Sequence, residues 1–207
     1  MANSELGLTG LRPYGRVKPD AIQYFRVNTA INLFRFMPVV LNNSGQVVPA
    51  EVVVDASGIL GTTIGFLSTG QDGLPTNLTD LNQGAFLDLS NNALAAVIID
   101  EDQLYTLESD TGGTIIGSEN SAGQTVHFTY HGSGTGNTTT GIANTLLDQS
   151  TLATDTGGNL LLVRPYREYV NPDGTLNDVS LNFSKWVVKI YKSPVGVFAA
   201  APTDRPS

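Results

Sequence analysis

The chain has no cysteine. That removes disulfides and thiolate metal sites together and leaves the redox compartment open. Charge is scarce: 14% of the 207 residues are Asp, Glu, Lys or Arg, against about 25% in an ordinary domain. Gly, Thr, Asn and Ser take their place, a composition that suits strands and turns better than solvated helices. No apolar run approaches the roughly 18 residues that span a bilayer. Met1 to Gly10 has neither a basic start nor an apolar stretch, so no signal peptide is expected. These absences lead us to expect a soluble protein made in a cytoplasm without export.

The largest gap is in one sign of charge. Residues 36–163 contain no Lys or Arg and thirteen acids, whereas residues 1–35 hold five basic groups and two acids. Residues 164–207 hold six basic groups and four acids, and the total is −8. Compositional drift is one explanation. The other is two surfaces with different partners, a basic segment that docks and an acidic body facing solvent. Such a body argues against nucleic acid as a partner, because phosphate binding needs a basic stripe on the folded domain.

Residues 1–20 read as an extended arm, loosened by Gly7, Gly10 and Gly15 and denied helix by Pro13 and Pro19. Fully extended, twenty residues reach at most about 70 Å. An ordinary disordered terminus reads the same way. From residue 21 the pattern is strand after strand. Candidates are 22–27, 33–41, 46–54, 59–67, 85–90, 94–99, 104–108, 125–131, 160–164 and 185–191, separated by turn chemistry such as Asn42-Asn43-Ser44-Gly45 and Asn171-Pro172-Asp173-Gly174. The second to fourth candidates predict a meander, with Pro38 at a sheet edge or bulge. Residues 68–84 read as a loop and 140–150 as the one helix. No internal repeat is visible. The expected fold is all-β, a single barrel or jelly-roll-like sandwich over 21–192, with the arm before it and a loose tail over 193–207.

Chemistry is hard to find. On a strand, His127 and His131 share a face about 13 Å apart, too far to share a metal. Asp100-Glu101-Asp102 opens like a calcium loop but has Tyr105 where glycine belongs and Thr111 where glutamate belongs. Gly132-Ser133-Gly134-Thr135-Gly136 is not followed by lysine, as a phosphate loop would be. No nucleophile with a partnering base stands out. No enzyme activity, metal or cofactor is expected.

Six elements occur in a telling order: Gly10-Leu11-Arg12-Pro13; Met37-Pro38-Val39-Val40; Gly58-Ile59-Leu60-Gly61-Thr62-Thr63-Ile64-Gly65-Phe66; Ala96-Val97-Ile98-Ile99-Asp100-Glu101-Asp102; Gly136-Asn137-Thr138-Thr139-Thr140-Gly141 with Leu147-Asp148; and Lys185-Trp186-Val187-Val188-Lys189-Ile190. In this order the chain resembles a family of tailed-bacteriophage capsid decoration, or cement, proteins from about residue 10 to 192. The family often carries proline where this chain has Glu101 or Asp102, a difference in turn geometry. The resemblance implies a non-catalytic virion protein on the outer capsid surface, made in the bacterial host cytoplasm. Its partner would be the major capsid protein, whose subunits it bridges, with neither nucleic acid nor membrane involved. Low charge density and apolar runs too many for one sheet face predict a homo-oligomer, a trimer before a dimer. The basic segment is the expected anchor, through Leu11, Arg12, Tyr14, Arg16 and Lys18 with Arg35 nearby. The alternatives are a head fibre or tail component that contacts the host, and a carbohydrate-binding β domain.

Overall fold

A computed structural model describes residues 9–27, 32–50, 58–68, 86–87, 93–111, 119–132, 135–153, 157–171 and 173–191. The architecture is all-β, as the composition predicts. Eight strands come first: β1 (Arg12–Tyr14), β2 (Ile22–Arg26), β3 (Leu33–Phe34), β4 (Pro38–Leu41), β5 (Val47–Pro49), β6 (Gly61–Ser68), β7 (Phe86–Leu87) and β8 (Ala93–Ile98). Seven follow: β9 (Leu104–Glu108), β10 (Thr125–Tyr130), β11 (Gly136–Asn137), β12 (Ile142–Ala143), β13 (Thr145–Ala153), β14 (Leu160–Pro165) and β15 (Lys185–Ile190). Among the described residues the only helical elements are the 3₁₀ turns Pro19–Ala21 and Glu119–Ser121.

Ten of these strands form two sheets of one design. The first has the order β2-β8-β6-β4-β5. The second has β9-β15-β14-β10-β13, with β1 added beside β9. In chain order both read first, fifth, fourth, second, third strand. In both, the neighbouring strands of this order are antiparallel. Each sheet curls until its first and third strands meet in a parallel bridge, Val27 with Val47 and Ser109 with Leu147. That contact closes five strands into a small barrel at one point of the seam.

The registers agree residue by residue. Ile22 opposes Ile98, and Leu104 opposes Lys189. Thr62 lies between Ile98 and Pro38, and Leu161 between Lys189 and Thr125. A β-bulge falls between Thr63 and Gly65 in one barrel and between Leu162 and Arg164 in the other, at the same step of the same strand. The Val27 N–H donates to the Ala93 carbonyl at 3.2 Å, and the Ser109 N–H to the Ser184 carbonyl at 2.8 Å. Bulges increase twist and re-aim a strand, so a shared bulge is a designed feature of the barrel rather than a defect. The chain is therefore a tandem structural repeat, and the reading of no internal repeat holds only at the level of residue identity.

Each barrel has its own apolar core. Phe34, Met37 and Phe66 dominate the first; Tyr105, Phe128 and Trp186 dominate the second; Tyr130 packs against both. The barrels are stitched by backbone hydrogen bonds. Arg35 N–H donates to Gly141 O at 2.9 Å and Arg35 O accepts from Ala143 N–H at 2.9 Å. Gly136 lies flat under the Phe34 ring, where any Cβ would collide with ring carbons.

Residues 9–20 do not form an arm outside this body. β1 pairs antiparallel with β9, on the edge whose far end Ser109 uses to reach Leu147. Gly10 N–H donates to Thr145 O at 3.0 Å, so the segment fills the seam between β9 and β13. Leu11 is fully buried in the second core. Fully burying a leucine side chain stabilises the fold by about 1.5–3 kcal/mol. Residues 1–8, the loop assigned to 68–84 except Ser68, and the tail over 193–207 lie outside the described residues.

Three other expectations change. Residues 145–153 are strand β13, not helix, because pairing with β10 overrides a locally ambiguous sequence. β5 and β6 are not neighbours, so there is no meander; both flank β4, and β5 turns its other edge to Val27. Pro38 opens an internal strand, a position where its missing N–H costs no ladder bond.

Candidate functional site

The junction between the barrels gathers the most unusual local geometry. Phe36 has a backbone φ of 62°, a conformation that costs a bulky residue of order 1–3 kcal/mol. It is held there from both sides. Its N–H donates to Thr63 O and its carbonyl accepts from Leu11 N–H, each at 2.7 Å. Gly10, with φ of 81°, passes so close that a Cβ there would stand 2.8 Å from the Phe36 Cβ.

The ring so placed carries two cations. The Arg35 guanidinium carbon is 5.3 Å from the ring centroid and that of Arg12 is 5.6 Å. Arg12 Nε also donates to Thr9 O at 2.9 Å. Burial is the main cause that lowers the Arg12 pKa, and Arg35 lowers it further; a guanidinium stays charged all the same. The aromatic face offsets part of the repulsion between the two cations. Each guanidinium fork is suited to a carboxylate, which arginine binds bidentately.

The other residues expected in the anchor have different surroundings. Tyr14 Oη accepts from Arg164 Nη2 at 2.7 Å, and its ring meets Tyr166 edge-on at 5.4 Å. Arg164 also pairs with Glu168 at 3.1 Å. Lys18 Nζ is 2.9 Å from Asp100, and Lys189 Nζ is 2.9 Å from Asp102. The hydrogen bond from Lys18 holds the Asp100 carboxyl below its ordinary value and raises Lys18 in return. The acidic turn is thus tied to two lysines. Arg16 is exposed and Leu11 is enclosed. Of the six, the structure brings Arg12 and Arg35 together at Phe36. Arg16 and Lys18 lie further along the segment, and Tyr14 is engaged with the 164–168 stretch.

One polar cluster was missed by sequence reasoning. Glu108 and Lys185 face each other across β9 and β15. Lys185 Nζ is 3.4 Å from Glu108 Oε2 and donates to Asn171 Oδ1 at 3.4 Å. It also lies 5.1 Å from the centroid of the Tyr169 ring. Glu108 and Lys185 are 0% exposed and Asn171 is 2% exposed. Burial pulls Lys185 below its ordinary value, against the opposing pull of Glu108. Glu108 closes an alternating strand and Lys185 opens an apolar one, positions that read as solvated flanks until the pairing is known. The histidines serve elsewhere. His127 Nδ1 hydrogen-bonds Asn159 Oδ1, and the His131 N–H donates to Asn144 O at 2.8 Å. Among the described residues no three His, Asp or Glu side chains group closely enough to hold a metal.

No family model matches the chain, and neither a curated protein nor a solved structure is significantly similar to it.

Proposed function

We propose that the chain is a tailed-phage virion protein that decorates the outer face of the icosahedral capsid and bridges subunits of the major capsid protein. The observation that carries this reading is the pair Arg12 and Arg35 on the Phe36 ring, in a chain whose residues 36–163 hold no Lys or Arg. An acidic body needs local positive charge to approach an acidic capsid surface. The paired guanidiniums supply it on a rigid, backbone-locked platform, with little entropy left to lose on binding. The order of sequence elements supports the same class. Self-association, a trimer before a dimer, belongs to the reading; the exposed apolar residues Tyr24, Val170 and Leu176 support it. A carbohydrate-binding domain would present its tryptophan to a sugar ring, but Trp186 is fully buried.

The test is titration of purified protein onto undecorated heads of the phage that encodes it. Removing residues 1–20 is not a clean variant, because it takes Leu11 out of the core. Arg35→Glu is cleaner, since that side chain is exposed. It is expected to weaken binding at least tenfold, about 1.4 kcal/mol, and to flatten the salt dependence. Arg16→Glu should have the smaller effect. Undiminished binding by Arg35→Glu would remove the arginine pair from the contact.

A further inference from the structure

The cluster of Lys185, Asn171 and Glu108 is closed off from solvent, and capsid docking does not call for it. We propose that Lys185 and Asn171 become joined by an intramolecular isopeptide bond, with Glu108 carrying the proton. The inference is independent of the capsid reading.

The geometry brings the amine to both the carboxamide and the carboxylate. The carboxamide of Asn171 is oriented by its own donors: Nδ2 gives hydrogen bonds to Thr175 Oγ1 at 3.1 Å and to Leu176 O at 3.3 Å. That turns the carbonyl oxygen toward the lysine amine, 3.4 Å away. The amide carbon is one C=O bond of about 1.23 Å beyond that oxygen, hence within about 4.6 Å of Nζ. The backbone of the nucleophile is fixed as well. Lys185 N–H donates to Asn177 Oδ1 at 2.8 Å, and Lys185 O accepts from Tyr166 N–H and Asn177 Nδ2, each at 2.9 Å. A near-attack pair stands at about 3–3.5 Å, so Nζ has on the order of an ångström to travel toward Cγ.

Burial works against the charged pair, while the Glu108 carboxylate opposes that shift at Lys185. A buried ammonium beside a buried carboxylate relieves its desolvation by passing one proton across, giving amine and carboxylic acid. The depressed pKa of Lys185 acts in the same direction. The amine is then a nucleophile of the kind that burial activates in lysine.

The step balances without a co-reactant. Nζ attacks Cγ of Asn171 and the C–Nζ bond forms. Glu108 relays a proton from Nζ to Nδ2, and the Cγ–Nδ2 bond breaks. Ammonia departs and takes up the proton that Glu108 first received from the ammonium, so the carboxylate is restored and the leaving species is ammonium. Nothing is oxidised or reduced. The product fastens the segment between β14 and β15 to the first residue of β15, inside the barrel wall.

The experiment is intact mass spectrometry of the full chain, followed by protease digestion and peptide sequencing. The wild-type protein is expected to be lighter than its sequence by one ammonia and to yield a branched peptide joining the stretches around 171 and 185. The branch distinguishes this bond from a cyclic imide, which also loses ammonia but leaves linear peptides. Glu108→Gln and Asn171→Ala are expected at full sequence mass. Wild-type protein at full mass with only linear peptides overturns the proposal, whether or not the variants fold. A branched peptide in Glu108→Gln would overturn the proton-carrying role of Glu108.

Discussion

Trp186→Ala is expected to cost about 3–5 kcal/mol of folding stability, the range for emptying an aromatic site in a core. Trp186 is fully buried among Tyr105, Phe128, Leu147 and Leu162, and its indole N–H donates to Ser184 Oγ at 3.0 Å. Removing it leaves a cavity that the closed barrel cannot collapse into, because its walls are hydrogen-bonded on both sides. It also removes one of two partners of the Ser184 hydroxyl, which keeps Ser109 Oγ at 3.1 Å. The register makes the position informative. By the pairing with the first strand, Trp186 occupies the place that Ala95 holds in the N-terminal barrel. Both are 0% exposed, so one design is filled from the fifth strand in one copy and from Phe34, Met37 and Phe66 in the other. Denaturant unfolding measures the effect. A loss under about 1 kcal/mol, typical of a surface change, would contradict the packing described.

Gly61→Ala is expected to cost about 3 kcal/mol or more, or to prevent accumulation of folded protein, since it forces overpacking against backbone. A Cβ at Gly61 would fall on the Ile98 carbonyl oxygen and 2.9 Å from its carbon. Neither atom can swing away, because Ile98 is held between Ile22 and Thr62 by strand pairing on both sides. Gly65, four residues on in the same strand, is the internal control. A Cβ there meets nothing within 4 Å, so Gly65→Ala should be neutral or gain the roughly 0.5–1 kcal/mol that alanine holds over glycine in regular structure. Equal effects at the two sites would show that β6 and β8 do not approach as described.

The contrast between those glycines shows how much of the fold was legible. Strand content was readable because alternation and turn residues are local signals. The Asn42–Gly45 turn, the hairpin of β4 and β5, and the buried apolar strand β8 follow from them. The duplication was not readable. Along the fifth strands Val97 matches Val188 and, two residues on, Ile99 matches Ile190, but Leu94 stands where Lys185 does, and Ala95 where Trp186 does. Barrel closure constrains register and bulge position, which are backbone properties, and leaves side chains free to vary as long as each core is filled. Strand β13 differs from the helix expected over 140–150; Thr140, Gly141, Ile142 and Thr145 are weak helix formers, and the long-range pairing with β10 decides the matter.

The same division applies to the sites. Arg12 and Arg35 stood out by charge alone. Their meeting at one ring depends on the positive φ of Phe36 and the close passage of Gly10, which no composition reveals. Leu11 looked like an exposed anchor because its neighbours are basic, yet strand pairing turns it into the core. Glu108, Lys185 and Asn171 are remote in sequence, and only the pairing of β9 with β15 brings the first two face to face. That meeting is the reason a buried charged cluster escaped notice in a chain that otherwise spends few charges.

The most direct test of the functional account is electron cryomicroscopy of the native phage particle. The account predicts density for two similar five-stranded barrels per chain on the outer capsid surface, with the Arg12, Arg35 and Phe36 junction against the major capsid protein and each chain touching more than one of its subunits. A particle whose capsid exterior lacks this chain, or carries it with the junction facing solvent, would contradict the account.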